Sequence, residues 1–105
     1  MQIQVNSDNS VAVDQQRKAL MQSLVGSALE RFEARLTRVE VHLSDVNGAR
    51  SGKQDKRCAL EVRAAGRDPV AVTDHGDTEE LAVRSASQKM KRLLETTFGR
   101  LGENV

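Results

Sequence analysis

The sequence predicts an α/β (α+β) two-layer sandwich of order β-α-β-β-β-α, with a four-stranded sheet and two helices on one face. Three observations carry this. Residues 2–6, 38–45 and 56–65 alternate polar and apolar side chains, as strands with one buried face do, and a shorter alternating stretch follows Pro69. Two longer segments repeat apolar residues at the helical period. The chain has 105 residues, enough for one domain over 1–105, and no repeat or linker divides it.

The first strand is QIQVN, with Ile3 and Val5 on one side and Gln2 and Gln4 on the other. Ser7 to Ser10 reads as a polar turn, and Asp14 as an N-cap. From Gln15 to about Leu36 the stripe Leu20, Leu24, Ala28 and Phe32 predicts a helix, widened by Met21, Val25, Leu29 and Leu36. RVEVHLSD is the second strand, with Val39, Val41 and Leu43 inward and Arg38, Glu40 and His42 outward. A polar loop, NGARSGKQ, spans 47–54. The third strand puts Cys58, Leu60, Val62 and Ala64 inward. Gly66-Arg67-Asp68 turns the chain, and Pro69 opens a fourth strand with Val70 and Val72 inward. Strands two to four read as an antiparallel meander, with His75 in the turn beyond. Asp77 and Glu80 resemble a capping box. The second helix carries the stripe Leu81, Ala82, Val83, Ala86, Met90, Leu93, Leu94 and Phe98, and Gly99 and Gly102 end it.

Composition narrows the function. Sixteen basic and fifteen acidic residues give a net charge of +1, against a partner held by bulk charge. Two phenylalanines are the only aromatics, so stacking of several single-stranded bases is disfavoured. One cysteine forms neither an internal disulfide nor a cysteine-based zinc site. The start has no signal-peptide pattern and no apolar run approaches a membrane span, so the expectation is a cytoplasmic protein with no membrane partner.

Placed on elements, the charge is uneven. Residues 17–38 hold five basic residues against two acidic ones. On a helical wheel Arg17, Arg31, Arg35 and Arg38 fall on one flank of the first stripe. Arg84, Lys89, Lys91 and Arg92 share the face of the second helix opposite its stripe, with Ser85 and Gln88. Two such helices side by side would present a basic surface suited to the phosphates of folded RNA. The plain alternative is a solvated face, with Arg31, Arg35 and Arg38 near a helix C-terminus, where positive charge is favoured.

Other chemistry is thinner. His42 and His75 lack metal-ligand spacing, and alternation places Cys58 inward, as a small hydrophobe rather than a nucleophile. Asp74, Asp77, Glu79 and Glu80 gather around His75, either complementing the helix start or holding a cation. No phosphate-cradling glycine loop precedes a helix. The expectation is no cofactor, no metal, no small-molecule substrate and no catalysis.

Several pieces together resemble the ribosome hibernation-promoting factor family, also called ribosome-associated inhibitor or ribosomal subunit interface protein. They are the opening M-Q-I-Q-V-N-S, then L-E-R-F, R-V-E-V-H-L, C-A-L-E-V-R-A-A-G-R-D-P-V-A-V, H-G-D-T-E-E-L-A-V and Q-K-M-K-R-L-L. Their order and spacing cover essentially 1–98. The resemblance implies the same β-α-β-β-β-α fold. It implies binding in the messenger and transfer RNA channel of the small ribosomal subunit, and inhibition of translation in stress or stationary phase. Basic residues on the two helices would contact ribosomal RNA. Arg31 matches a family basic site by position, as do Lys89 and Arg92; Lys91 adds a charge in the same stretch. Arg35, Arg38 and Arg84 join them from the face reading alone. Ala28 stands where many members have a second basic residue, and Leu81 where an aromatic is common. The length is that of the short type, which is associated with ribosome dimers, and the chain is expected to be a monomer.

Two rivals remain at this point. One is a diverged protein-interaction module on the same fold without ribosome binding, motivated by the neutral balance and the acidic cluster. The other is a small enzyme using Cys58 or the histidines.

Overall fold

A computed structural model describes residues 1–8, 13–46 and 56–100. The elements are β1 (Gln2–Ser7), α1 (Gln15–Ala28), a 3-10 segment (Glu30–Arg35), β2 (Leu36–Asp45), β3 (Lys56–Ala64), β4 (Val70–Gly76) and α2 (Glu79–Arg100). The sheet order is β1-β2-β3-β4. β2, β3 and β4 form the antiparallel meander, and β1 lies parallel to β2 at one edge. A parallel neighbour requires a crossover, which α1 supplies. The 47–54 loop, Asn9 and Ser10 of the expected turn, and Gly102 lie outside the described residues.

Strand alternation decides the two faces. Val5, Val39, Val41, Leu43, Cys58, Leu60 and Val62 are buried under the helices. Arg38, Glu40 and His42 lie on the opposite, uncovered face, opposite the β3 residues Arg63, Glu61 and Ala59. The helices complete the core with Met21, Val25, Leu29, Phe32, Ala82, Val83, Ala86, Met90, Leu94 and Phe98.

Four expectations are corrected. First, α1 stops at Ala28 instead of running to Leu36. Leu29 turns the backbone (φ −103, ψ 9), and Glu30–Arg35 continues as a 3-10 helix. Residues three apart eclipse in that geometry, so Leu29 and Phe32 both enter the core. Second, the stripes are narrower than read. Leu20, Leu81 and Leu93 are exposed, while Met21, Val25 and Leu29 form the buried centre on the α1 side. Third, Thr78 caps α2, its Oγ1 accepting from the Leu81 N–H at 3.2 Å, one residue after the expected Asp77. The helix also continues past Gly99 to Arg100. Fourth, His75 belongs to β4. Asp14 does cap α1, accepting the Arg17 N–H at 2.8 Å.

Two contacts fix the helices over the sheet edges. Gln22 Nε2 donates to the Ile3 carbonyl of β1 at 3.1 Å, and Lys89 Nζ to the Thr73 carbonyl of β4 at 3.0 Å. Each occupies a main-chain acceptor that an edge strand would otherwise offer to another chain. Gly76 seats α2: a Cβ there would lie 2.6 Å from the Ala82 nitrogen and 2.8 Å from the Leu81 carbonyl carbon.

Candidate nucleic-acid interface

The two helices run in the same direction. Arg17 at the start of α1 lies 3.6 Å from Glu79 at the start of α2. Arg31, just beyond α1, lies 3.5 Å from Glu95 toward the end of α2. Between these two ion pairs is a groove of about 460 Å³, lined by Leu24, Ser27, Ala28, Arg84, Gln88 and Lys91. Ser27 and Ala28 are small, which opens the α1 wall. A second groove of about 310 Å³ runs between α2 and β4, lined by Asp74, Arg84, Ser85, Gln88 and Arg92. Arg84 and Gln88 line both, so they form the crest of a ridge.

The seven basic residues singled out from the sequence divide into groups. Arg84, Lys91 and Arg92 line the grooves. Arg84 pairs with Glu80 one turn away at 3.6 Å, whereas Lys91 and Arg92 form no ion pair among the described residues. Arg31 stands at the end of the first groove, half-exposed. Lys89 is anchored on the β4 edge. Arg35 is set further off, its guanidinium 5.2 Å from the centre of the Phe98 ring. The last, Arg38, does not join the helix flank. The helix ends ten residues before it, and β2 turns it to the uncovered face. There it donates to Gln4 Oε1 and lies 3.5 Å from Glu40.

Arg67 was missed. Its guanidinium also lies 5.2 Å from the Phe98 ring, beside Arg35, and Phe98 packs on Phe32 at 5.7 Å between centroids. The signal was Gly66, whose φ of +75 makes the tight turn that aims Arg67 back at the helix end.

The acidic cluster disperses. Glu79 turns to Arg17 and Glu80 to Arg84, while Asp74 Oδ1 accepts the His75 N–H at 2.9 Å. Among the described residues no three His, Cys, Asp or Glu side chains gather as metal ligands. Burial pushes the Cys58 thiol up to about 12, with the Asp74 carboxylate adding to the effect and Arg57 opposing it. A thiol held protonated inside the core is no nucleophile.

Fold and site together define an α+β sandwich whose helices carry basic grooves and whose sheet leaves one face open. The chain belongs to the Sigma 54 modulation protein / S30EA ribosomal protein family, whose model matches residues 3–101. That family is not one of enzymes. No curated protein matches the sequence. Among solved structures, the chain resembles the Thermus thermophilus Protein Y N-terminal domain with a TM-score of 0.70 and 16% identity, over 92% of this chain and 99% of that one. A ribosomal subunit interface protein from Coxiella burnetii gives 0.69 and 15%, over 94% and 99%. At such identities the likeness shows the fold. Among the described residues, no helix is long and apolar enough to cross a membrane.

Proposed function

We propose that this protein is a ribosome-associated hibernation factor that inhibits translation by occupancy. Arg31, Arg84, Lys91 and Arg92 contact phosphates of small-subunit ribosomal RNA, with Lys89 at the β4 margin and Arg35 at the far end. The bound domain excludes messenger and transfer RNA under stress or in stationary phase. It works in the cytoplasm as a monomer and needs no cofactor, small-molecule substrate or membrane. Family membership and the likeness to a ribosomal subunit interface protein support this reading.

One observation carries it. The helical segments 15–35 and 79–99 hold eight basic and five acidic residues, while the four strands hold four of each. The positive excess therefore sits on the helix side, and Lys91 and Arg92 present it without a carboxylate partner among the described residues. Fixed cations on a rigid helix suit phosphate contacts, which position a protein without reading bases. Sedimentation with purified ribosomes across a salt series tests the reading. Co-sedimentation at low salt, lost steeply as salt rises, is expected. A protein that stays at the top of the gradient at every salt, with intact ribosomes, overturns it.

The three ion pairs on the helix side favour a second reading, a protein-interaction module on this fold. It predicts that Arg31→Ala with Arg92→Ala leaves function unchanged. Lost ribosome co-sedimentation in that double variant excludes it.

A further inference from the structure

The carboxylates of α2 do not all have the same reason to be there. Glu79 and Glu80 occupy its first turn, where the positive end of the helix favours them. Glu95 stands well past the middle of α2 and gains nothing of that kind. It reaches across to Arg31 on the 3-10 segment, Oε2 to Nη1 at 3.5 Å. The pair is open to solvent, with 55% of the Arg31 side chain and 40% of the Glu95 side chain exposed. Such a pair contributes little to stability. Its effect on an approaching polyanion is different. A phosphate that seats on Arg31 meets a carboxylate already on the same guanidinium, and must displace it or share the cation with it. Lys91, one turn before Glu95 on the same helix, forms no ion pair with it. The competition therefore falls on Arg31.

We propose that Glu95 is an affinity-limiting residue: it occupies Arg31 in the free protein and weakens its contact with RNA, making ribosome binding easier to reverse. The inference rests on the ribosome-binding reading above and concerns the regulation of that same site. Glu95 acts through Arg31 and does not itself contact RNA. A short-range competitor of this kind trims affinity without changing the shape of the interface. It also makes part of the near-neutral net charge a property of the site rather than of the surface at large.

The test is a double-mutant cycle read by binding to purified small ribosomal subunits across a salt series. Glu95→Gln is expected to tighten binding about 2- to 5-fold, the size of an exposed ion pair released, and to steepen the log–log salt slope by up to about one phosphate contact. The gain should vanish in the Arg31→Ala background. Glu61→Gln, which removes the same charge from the uncovered sheet face, should leave affinity unchanged. Wild-type binding with no gain from Glu95→Gln overturns the proposal and leaves the ribosome-binding reading standing. A gain that persists without Arg31, or that Glu61→Gln reproduces, overturns it in favour of bulk charge. Absence of wild-type binding at every salt overturns both readings. Thermal melts of Glu95→Gln and Glu61→Gln close to wild type exclude a folding artefact.

Discussion

On the helix side, long exposed ion pairs of 3.5–3.6 Å leave a positive excess facing two grooves. On the uncovered sheet face most charges pair locally, with Arg57 the exception, since it forms no ion pair among the described residues. Arg38 lies opposite Arg63 and Glu40 opposite Glu61, two like-charged cross-strand pairs that would repel. Each is relieved along its own strand, Arg38 by Glu40 at 3.5 Å and Arg63 by Glu61 at 3.4 Å. On the other side of the sheet, at the end of β2, Lys56 and Asp45 close at 2.8 Å across the strands, and only a small part of either side chain reaches solvent. The uncovered face thus neutralises most of its charge within each strand, while the helix side leaves Lys91 and Arg92 without an ion pair among the described residues. A net charge of +1 hides that division because the strands sum to zero and the turns and ends are net negative. What decides whether a polyanion can bind is where the pairing is incomplete.

Reversing the two cations of α2 that are unpaired among the described residues should have the greatest consequence for binding. Lys91→Glu with Arg92→Glu should weaken ribosome binding roughly 30- to 100-fold, since two contacts are lost and replaced by repulsion. The matched reversal on the sheet, Arg38→Glu with Arg57→Glu, should change affinity by about twofold or less. Filter binding of both variants to small subunits checks this, and equal losses would show that the faces are equivalent. Next is Gly76→Ala, which drives a Cβ into the backbone of α2's first turn. It should cost about 1–3 kcal/mol of stability, seen as a melting temperature lower by several degrees. Because it moves the helix face and not the charges, binding should weaken only as the fold loosens.

The Cys58 thiol separates a core group from a surface one. It should resist labelling until the protein is denatured. Its pKa is raised from 9.0 to about 12 in the fold, so below pH 9 it neither adds nor removes stability with pH. Between pH 9 and about 12 the unfolded thiol ionises while the folded one does not, so stability should fall as pH rises. Denaturant melts at pH 8 and pH 10.5, compared with those of Cys58→Ala, isolate that contribution. The smallest effect is expected at Ser87. Its hydroxyl is buried in α2 with no hydrogen-bond partner among the described residues. Ser87→Ala should leave binding unchanged and be neutral or stabilising by up to about 1 kcal/mol in a denaturant melt.

The strands were legible because alternation is a strict period of two, and Val39, Val41, Leu60 and Val62 obey it. The end of α1 was not. No glycine or proline marks Leu29, and Phe32 and Leu36 continue the apolar spacing equally well in a 3-10 turn and a strand. Arg38 was read both as an outward residue of the second strand, which holds, and as part of the helix flank, which does not, because its neighbours Val39 and Val41 bind it to the sheet. Thr78 was passed over for Asp77 because both can cap, and only the backbone path chooses. Gly76 gave no local signal, since its constraint is the backbone of α2 arriving from the other layer. At the candidate site, the sequence located Arg84, Lys91 and Arg92 through the helical period alone. It gave no account of which arginines face carboxylates, because Arg17–Glu79 and Arg31–Glu95 join residues 62 and 64 positions apart.

On the proposed reading the helix side, and not the open sheet, meets ribosomal RNA. A photo-crosslinking amino acid placed at Gln88, on the ridge shared by both grooves, or at Glu61, on the uncovered face, tests it most directly. On binding to small subunits, Gln88 should crosslink to ribosomal RNA and Glu61 should not. Crosslinks to RNA from Glu61 with none from Gln88 would place the RNA on the sheet instead.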